Sequence, residues 1–401
     1  MSWSRSPEAH ADELLQAALP ETAMPARDRA FARELFFGVL RHLRALDFWI
    51  TKLTQRPPED GPRRVLQLGL YQLLLINTPA HAALHATVEL AHPRKRGFIN
   101  AVLRQASREH AQLLEALKLQ PPPIRNSHPD FLYQRWLEQF GSAETLRLME
   151  WNNQPAPIYV RLHNVGDQAG AYAAGFDELK PTEHPLVFRA SHLPSALIES
   201  AHAYVQDPST LAVCEALAPR PGDRILDACA APGGKSIYLE ELASAQAEIV
   251  AAESQGYRLA RMRENLKRLK TGTIQLRQID WLEEPPADLG VFDKILIDAP
   301  CSNSGVLRRR VDARWRLEET SFAEWAEIQG MLLRKIAPYL RDGGRLAYST
   351  CSIDPEENEE VVRAFIQGNP RFECLEQRSI RPDIDGVDGA YYAILTKTAA
   401  N

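Results

Sequence analysis

Two cysteines that each follow a short apolar run are the residues of this chain best suited to covalent chemistry. Cys301 stands in "LIDAPCSNSG" (296–305), and Cys351 stands in "YSTCSIDPEEN" (348–358). A thiolate can add to an electron-poor carbon and thereby divide one difficult step into easier ones. Asp298 lies shortly before Cys301 and adds a carboxyl group. These residue types could support covalent catalysis, or both cysteines could be unreactive residues of the core.

A second stretch, "DACAAPGGKS" (227–236), resembles the phosphate-binding pattern G-x-x-x-x-G-K-[ST]. Gly234, Lys235 and Ser236 supply its ending, but Cys229 stands where the first glycine should be. Without that glycine the backbone cannot wrap a phosphate group, so a P-loop ATPase is the weakest interpretation. The loop could also be a tight strand-to-helix turn that needs glycine for steric reasons alone.

An acidic residue beyond the loop favours a nucleoside ligand. Glu253 lies 20 positions after Gly233, at the end of the next apolar run. At this spacing a carboxylate accepts hydrogen bonds from ribose hydroxyl groups in doubly wound folds. Gly233 and Gly234 would let the ligand approach the backbone closely. The loop and the acid therefore predict a pocket for an adenosine-bearing ligand that is held through its ribose.

The elements that position these residues alternate between strand and helix from about residue 205. Short aliphatic runs separated by helical segments predict a parallel, doubly wound α/β sheet. The five runs are "RILDA" (224–228), "EIVAAE" (248–253), "TIQLRQI" (273–279), "KILIDA" (294–299) and "RLAYST" (345–350). "FECLEQ" (372–377) and "YYAILT" (391–396) would close one edge, with one antiparallel strand.

Ligands of such sheets bind at the carboxyl ends of the strands. The residues at these ends are therefore site candidates: Asp227, Glu253, Asp280, Asp298, Cys301, Thr350 and Cys351.

The front of the chain is different, because its apolar residues recur at helical spacing and show no strand-like alternation. In residues 29–53 they form one helical stripe, so residues 1–125 are expected to be an all-helical domain. The Pro-rich stretch "QPPPIRNSHPD" (120–130) predicts a linker. Residues 126–204 are expected to be the linker and a small mixed α/β subdomain, with a strand in 157–164, and residues 205–401 the catalytic domain.

Charge is distributed unevenly between the two halves. Residues 1–125 carry 17 Lys and Arg against 12 Asp and Glu, whereas the remaining residues carry 30 against 40. A basic front on a chain with a net charge of −5 suggests an anionic partner for the front.

The composition is that of an ordinary globular protein, with 45% hydrophobic and 25% charged residues among 401. No apolar run reaches the roughly 18 residues of a membrane span, and the first residues lack the apolar core of a signal peptide. A cytoplasmic protein with no membrane partner is expected. The five cysteines include no C-x-x-C pair, so neither a disulfide framework nor a metal site is expected. Cys214 and Cys374 are expected to be small buried residues.

Three long motifs together resemble the RNA 5-methylcytosine methyltransferases of the Nop2/Sun family. They are "DACAAPGGKS", "LIDAPCSNSGVLRRRVDARWR" (296–316) and "YSTCSIDPEENEEVV" (348–362). "RELFFGVLRHLRALDFWI", "LGLYQLLLINTPAHAALHATVELA" and "GFINAVLRQ" resemble the NusB-like RNA-binding domain, which this family's bacterial small-subunit ribosomal RNA enzymes carry in front. The resemblance covers nearly the whole chain. It departs from the family pattern at Ser304, Val311 and Ala390, where Thr, Pro and an aromatic residue are usual.

The resemblance implies a Rossmann-like class I methyltransferase domain. This domain would transfer a methyl group from S-adenosylmethionine to carbon 5 of a cytosine in RNA, with 16S ribosomal RNA the first candidate. Cys351 would be the nucleophile, Cys301 would assist product release, and Asp298 and Lys235 would complete the catalytic set. The residues implied to bind the cofactor are Cys229, Ala230, Ala231, Pro232, Gly233, Gly234, Lys235, Glu253, Asp280 and Asp298.

The arginine-rich run beside Cys301 would position the RNA strand. Arg308, Arg309 and Arg310 would contact phosphate groups, although such a run can also be a merely solvated surface. The target base would have to leave its stack to reach the thiols.

Other interpretations remain open. The chain could be a non-catalytic RNA-binding or ribosome-assembly factor, or it could methylate a different RNA such as tRNA. A DNA methyltransferase would use the thiol of the Pro-Cys pair, which the Thr-Cys pair and the NusB-like front disfavour. Nothing in the sequence requires an oligomer, so a monomer is expected. Transfer of a labelled methyl group to RNA would separate an enzyme from a binding factor.

Overall fold

The computed structural model describes residues 11–19, 24–284 and 286–399. They form two compact units, which we call the helical unit and the sheet unit. The helical unit contains the described residues up to Gln154 together with Leu307–Glu319. The sheet unit contains Pro155–Val306 and the described residues from Thr320 onward. Throughout the described part of the chain, every helix is too short or too polar to cross a bilayer.

Among its described residues the helical unit contains helices and no strand, as the apolar spacing of the front predicts. Its helices are α1 (Ala11–Ala18), α2 (Ala26–Arg41), α3 (Leu43–Leu53), α4 (Asp60–Leu74), α5 (Ala80–Glu89), α6 (Arg96–Arg108), α7 (His110–Lys118), α8 (Pro122–Arg125), α9 (Asp130–Phe140) and α10 (Ser142–Asn152). Trp49, Leu66, Leu70 and Leu103 lie in its core, fully buried or nearly so. The expected stripe over 29–53 is two helices rather than one, because the backbone of His42 leaves helical geometry (φ −116°, ψ 21°).

Residues 120–130 are an integral part of the helical unit. Ser127 and His128 are fully buried, and the backbone N–H of Ala45 donates to Ser127 Oγ at 3.0 Å. The helical unit therefore runs past residue 125, where the linker was expected, as far as Gln154. A proline-rich composition does not reveal such burial, because the buried polar groups are satisfied by residues distant in sequence.

The sheet unit begins with a small antiparallel sheet. Its strands are β1 (Ile158–Leu162), β2 (Leu179–Pro181), β3 (Val187–Ala190) and β4 (Ala203–Val205), in the order β2-β3-β1-β4. The strand expected within 157–164 is thus confirmed as β1. Short helices α11 (Ala169–Ala173) and α12 (Ser195–Glu199) connect these strands.

The second sheet of the sheet unit has seven strands in the order β10-β11-β9-β8-β5-β6-β7. They are β5 (Arg224–Asp227), β6 (Glu248–Glu253), β7 (Ile274–Gln278), β8 (Phe292–Asp298), β9 (Leu340–Thr350), β10 (Phe372–Ile380) and β11 (Ala390–Lys397). β5 to β9 are parallel, and β11 pairs antiparallel with both β9 and β10. The expected parallel sheet with one antiparallel strand is confirmed; this strand, β11, lies one position in from the edge strand β10.

Helices surround the large sheet: α13 (Ala212–Leu217), α14 (Gly234–Leu242), α15 (Gly256–Leu269), α16 (Ser321–Ile336), α17 (Glu359–Gly368) and α18 (Pro382–Asp385). Apolar residues of neighbouring strands are buried, including Leu226, Ile295 and Leu346. The register places Asp227 opposite Leu296, and Asp298 opposite Ser349. The polar residues that follow these buried strands therefore meet at one edge of the sheet.

Candidate active site

The loop between β5 and α14 requires both of its glycines. Gly233 has a φ of +104°, in the left-handed region that side chains disfavour. A Cβ atom on Gly234 would lie 2.7 Å from a ring carbon of Tyr204. These glycines let the chain turn sharply from the end of β5 into α14, as the steric explanation of the motif requires.

Asp227, the last residue of β5, carries an unsatisfied oxygen beneath this loop. Its side chain is fully buried, and Oδ2 accepts a hydrogen bond from Ser236 Oγ at 2.6 Å. Among the described residues, Asp227 Oδ1 has no hydrogen-bond partner. Burial raises the pKa of Asp227 to about 7, although the hydrogen bond from Ser236 opposes the rise. A buried, unpartnered carboxylate oxygen fits a ligand that brings a cationic donor such as an ammonium group.

Glu253, the candidate ribose ligand, is buried and already engaged. Its Oε1 accepts from the backbone N–H of Gln255 at 3.1 Å, and its Oε2 lies 3.1 Å from a guanidinium nitrogen of Arg258. Arg258 also donates to the carbonyl oxygen of Ala231 at 3.0 Å. Sequence reasoning missed Arg258. Its position near the start of the helix that follows Glu253 could have indicated that the two side chains are close.

Asp280 follows β7 and is exposed. Its Oδ1 accepts from the backbone N–H of Leu282 at 2.9 Å. The neighbouring Trp281 donates its indole N–H to the carbonyl oxygen of Ala228 at 2.7 Å. This hydrogen bond ties the segment after β7 to the start of the glycine loop.

Asp298 at the end of β8 is held from two sides. Lys235 Nζ lies 2.6 Å from Oδ2, and Ser349 Oγ donates to Oδ1 at 2.9 Å. Burial would lower the pKa of Lys235, but the Asp298 carboxylate outweighs it and raises that pKa. The ammonium group and the hydroxyl group together fix the plane of the carboxyl group. Sequence reasoning missed Ser349, which only the register of β8 and β9 identifies.

The two candidate cysteines meet at the same edge of the sheet. Their Sγ atoms are 3.0 Å apart, well beyond the roughly 2.05 Å of a disulfide bond, so both are free thiols. Cys351 Sγ also lies 3.3 Å from Asn303 Oδ1. The hydrogen bond with Cys351 and burial both raise the pKa of Cys301 well above its usual range. Cys301 therefore keeps its proton and can donate it in a hydrogen bond to the Cys351 sulfur.

A cavity of about 100 Å³ joins several of these groups. Cys351, Asp298 and Lys235 line it, together with Ser209 and Asp388, which sequence reasoning did not select. The structure thus brings the predicted nucleophile, carboxyl group and lysine to one cavity.

The three arginines predicted to bind RNA lie in the helical unit. The Arg308 guanidinium lies 4.2 Å over the ring of Trp151 and donates to the carbonyl oxygen of Gln154 at 3.3 Å. Arg310 is paired with Asp12 at 3.2 Å, and Arg309 is half-buried. Arg308 and Arg310 thus have partners within the unit, and their contact with RNA stays a prediction.

The rest of this arginine-rich segment is largely buried within the helical unit. Arg314 is fully buried and donates to the carbonyl oxygen of Asn152 at 2.9 Å and to Asn153 Oδ1 at 2.8 Å. Val311 packs in an apolar cluster with Leu40. The interpretation of this arginine-rich run as a merely solvated surface is therefore wrong for Arg314 and Val311. A run of charged residues in the sequence does not show that buried hydrogen-bond acceptors are available to them.

The two cysteines expected to be buried differ. Cys214 is fully buried, as expected. Cys374 is exposed on β10, so that expectation is wrong. The cause is the position of β10 at the edge of the sheet, where the residues between Phe372 and Ile380 are exposed on both faces of the strand.

Comparison with known proteins decides the family. A model of the 16S rRNA methyltransferase RsmB/F family matches residues 214–395, and a model of the NusB family matches residues 2–108. Ribosomal RNA small subunit methyltransferase B of Proteus mirabilis is 36% identical over 404 aligned positions, covering 96% of this chain and 94% of that protein. The chain belongs to the 16S rRNA methyltransferase RsmB/F family. It is therefore an S-adenosylmethionine-dependent methyltransferase, which confirms the expected enzyme class and cofactor.

Solved structures confirm the fold expected for this family. The crystal structure of the protein PH0851 has a TM-score of 0.76 at 22% identity and covers 94% of this chain and 92% of that chain. NSun6 from Pyrococcus horikoshii, solved with SFG, has a TM-score of 0.59 at 20% identity and covers 68% and 99% of the two chains.

Proposed function

We propose that this protein methylates carbon 5 of a cytosine in 16S ribosomal RNA through a covalent adduct with Cys351. The observation that carries the proposal is the 3.0 Å approach of the Cys301 and Cys351 sulfur atoms beside a cavity that Cys351 and Asp298 line together. The name of the Proteus mirabilis relative supports the choice of RNA.

Cys351 is the better nucleophile of the pair. Cys301 is buried and holds its proton, so its S–H group can stabilise negative charge on the Cys351 sulfur. The Cys351 thiolate then adds to carbon 6 of the cytosine ring and makes carbon 5 enamine-like. The proton lost by the Cys351 thiol is taken up at ring nitrogen 3. The Asp298 carboxylate, oriented by Lys235 and Ser349, accepts hydrogen bonds from that N–H and from the exocyclic amine, and so stabilises the adduct as charge develops.

Product release requires that the bond between Cys351 and carbon 6, which formed first, be broken again. S-adenosylmethionine supplies the methyl group that carbon 5 takes up. A base must then remove the carbon-5 proton, and the electron pair of that C–H bond restores the ring double bond as the Cys351–carbon 6 bond breaks. The partner that raises the pKa of Cys301 is the Cys351 sulfur. Once that sulfur is bonded to carbon, its hydrogen bond with Cys301 weakens; Cys301 then gives its own proton to solvent, and the resulting thiolate takes the carbon-5 proton.

The residues around the glycine loop fit the cofactor. The unpartnered oxygen of Asp227 suits the ammonium group of the methionine part. The loop from Cys229 to Lys235 would line that part, and Glu253 would accept hydrogen bonds from the ribose while it shares its charge with Arg258. Asp280, exposed at the end of the next strand, would contact the adenine.

The helical unit would supply affinity for RNA. Its NusB-type sequence and the positive balance of residues 1–125 support this role. We infer that the protein acts as a monomer on RNA and not on DNA.

Methyl transfer tests the proposal directly. The purified protein is incubated with methyl-labelled S-adenosylmethionine and with 16S ribosomal RNA, either free or in small-subunit particles. Label in this RNA, located as 5-methylcytosine by bisulfite sequencing and absent with Cys351→Ala, is the expected result. Label only in another RNA such as tRNA would overturn the substrate, and RNA binding without any transfer would indicate an assembly factor.

A further inference from the structure

A buried carboxylate lies between the two segments that carry the cysteines. Glu357 is fully buried, and its two oxygens receive four hydrogen bonds. Oε1 accepts from the hydroxyl groups of Ser302 and of Ser352, the latter at 2.7 Å. Oε2 accepts from the backbone N–H of Ser302 at 2.9 Å and from Gln329 Nε2 at 3.0 Å. Both oxygens are therefore used within the protein.

The donors come from the residues next to the sulfur atoms. Ser302 directly follows Cys301 after β8, and Ser352 directly follows Cys351 after β9. A further hydroxyl strengthens the connection, because Ser304 Oγ lies 3.1 Å from Ser352 Oγ. Two loops from neighbouring strands thus share a single carboxylate as their common acceptor.

Other contacts fix the position of Glu357 itself. Tyr348, a buried residue of β9, donates its hydroxyl to the carbonyl oxygen of Glu357 at 2.5 Å. Gln329 of α16 also contacts the carbonyl oxygen of Pro300 at 3.0 Å, on the chain just before Cys301. The carboxylate is therefore held to a strand and a helix of the sheet unit, and cannot move without disturbing both loops.

The negative charge of Glu357, like its hydrogen bonds, affects the two cysteines. Burial raises the pKa of Glu357, but the hydrogen bonds from Ser302 and Ser352 oppose that rise. The carboxylate in turn contributes to the raised pKa of Cys301. Hydrogen bonds to a charged acceptor are also stronger than neutral ones. Of the described residues, those lining the cavity do not include Glu357, so it acts through the cysteines and not on a substrate.

We propose that Glu357 is a positioning residue, which joins the two cysteine loops through one carboxylate and so sets the distance and the proton distribution between Cys301 and Cys351. Its effect on catalysis rests on the proposed function, whereas its effect on the two thiols does not.

The test compares Glu357→Gln with Glu360→Gln, an exposed neighbour in α17 that loses the same charge. The amide in Glu357→Gln keeps the shape but places an N–H₂ group against hydroxyl donors. Because small misplacements of reacting groups are costly, kcat should fall at least about tenfold while KM for RNA stays within about twofold. Glu360→Gln should match the wild type in both parameters.

A second readout needs no RNA. The rates at which iodoacetamide alkylates Cys301 and Cys351 are followed by mass spectrometry of the two peptides. In the wild type Cys351 should react faster. In Glu357→Gln the difference should shrink, because Cys301 loses a nearby negative charge and ionises more readily. A role confined to global stability would leave this ratio unchanged in protein that is still folded.

Unchanged kcat and an unchanged alkylation ratio in folded Glu357→Gln would overturn the inference. If that variant does not fold, Ser352→Ala, which removes one donor, decides by the same two measurements. The two proposals can also fail separately. If the wild type methylates no RNA but Glu357→Gln still changes the ratio of the two alkylation rates, the positioning role is retained and the proposed function is rejected.

Discussion

Arg258 lies between the candidate cofactor loop and the candidate ribose ligand: it donates to the carbonyl oxygen of Ala231 at 3.0 Å and pairs with Glu253 at 3.1 Å. The Glu253 carboxylate is thereby oriented by a cation before any ligand arrives. A ligand hydroxyl would meet a fixed acceptor, which reduces the ordering cost of binding.

Glu253→Ala should therefore weaken binding of S-adenosylmethionine and leave RNA binding intact. The lost charge-assisted hydrogen bond should cost roughly 1.5–3 kcal/mol of binding free energy, measured by calorimetry. Glu264→Ala, an exposed acid on the same helix as Arg258, is the matched control and should bind as the wild type does. Equal cofactor affinity in Glu253→Ala would place the ribose elsewhere.

Binding of S-adenosylmethionine should release protons near pH 7. Burial raises the pKa of Asp227 to about 7 without ligand, so part of this carboxyl group's population is protonated near that pH. An ammonium group beside Oδ1 would favour the ionised form, and the pKa should fall. Affinity should consequently increase as the pH rises towards about 7 and then level off, because above that value no proton remains to be released.

Calorimetry in phosphate and in Tris measures this release, since the two buffers take up protons with different heats. The binding heats should differ in the wild type and coincide in Asp227→Asn. Identical heats in the wild type at pH 7 would mean that the ammonium group binds away from Asp227.

The two cysteines should fail in different ways. Cys351→Ala or Cys351→Ser should abolish methyl transfer and form no adduct, because the attacking sulfur is gone. Cys301→Ala should still form the adduct but stall its breakdown, so a protein–RNA species that resists denaturation should accumulate. A denaturing gel with labelled RNA measures this, and the species should vanish in the double variant. An adduct in Cys351→Ala but none in Cys301→Ala would reverse the roles.

Arg314→Ala should lower the stability of the helical unit. The arginine donates to the Asn152 carbonyl oxygen and to the Asn153 side chain in a buried site. Leaving these acceptors without a donor should cost roughly 1–3 kcal/mol each, observed as a lower Tm. Arg104→Ala, an exposed arginine of α6, should leave Tm nearly unchanged. A Tm for Arg314→Ala equal to that of the wild type would show that the buried guanidinium contributes no net stability.

Exposed cations of the helical unit should contribute to RNA affinity in a salt-dependent way. Arg94 is exposed and Lys95 is half-buried, in the turn before α6. Replacing both by alanine should weaken RNA binding and reduce the slope of log affinity against log salt by roughly 0.7 for each phosphate group that the variant no longer neutralises. Lys270→Ala on the sheet unit, exposed as well, serves for comparison. Filter-binding titrations at several salt concentrations give the slopes, and an unchanged slope would remove this turn from the RNA surface.

The sequence is sufficient to predict those site residues whose positions depend only on where the strands end. Asp298, Cys301 and Cys351 meet because parallel strands place their carboxyl ends at one edge, and the strand pattern is visible in the apolar runs. Ser349 and Glu357 could not be found in this way. Their roles depend on strand register and on hydrogen bonds between segments distant in sequence, which leave no periodic signal.

Side-chain burial was the least predictable property. From the sequence, the polar residues 126–128 and Arg314 are expected at the surface. In the structure they are buried and form hydrogen bonds with residues that are distant in the sequence. Cys374 is the opposite case. Its residue type predicts burial, but it is exposed because it lies on β10, the edge strand of the sheet.

The helical unit draws on two separated parts of the chain, and this fixes the order in which it can be completed during synthesis. The backbone N–H of Ala11 donates to Asp312 Oδ2 at 3.1 Å, and the Trp315 indole donates to the carbonyl oxygen of Leu40 at 2.7 Å. The partners of these two hydrogen bonds are 301 and 275 residues apart in the sequence. The larger part of the helical unit is synthesised before the sheet unit and must therefore wait, with part of its apolar surface uncovered, until the residues up to Glu319 have followed. A nascent chain released before that point lacks the segment that completes the helical unit.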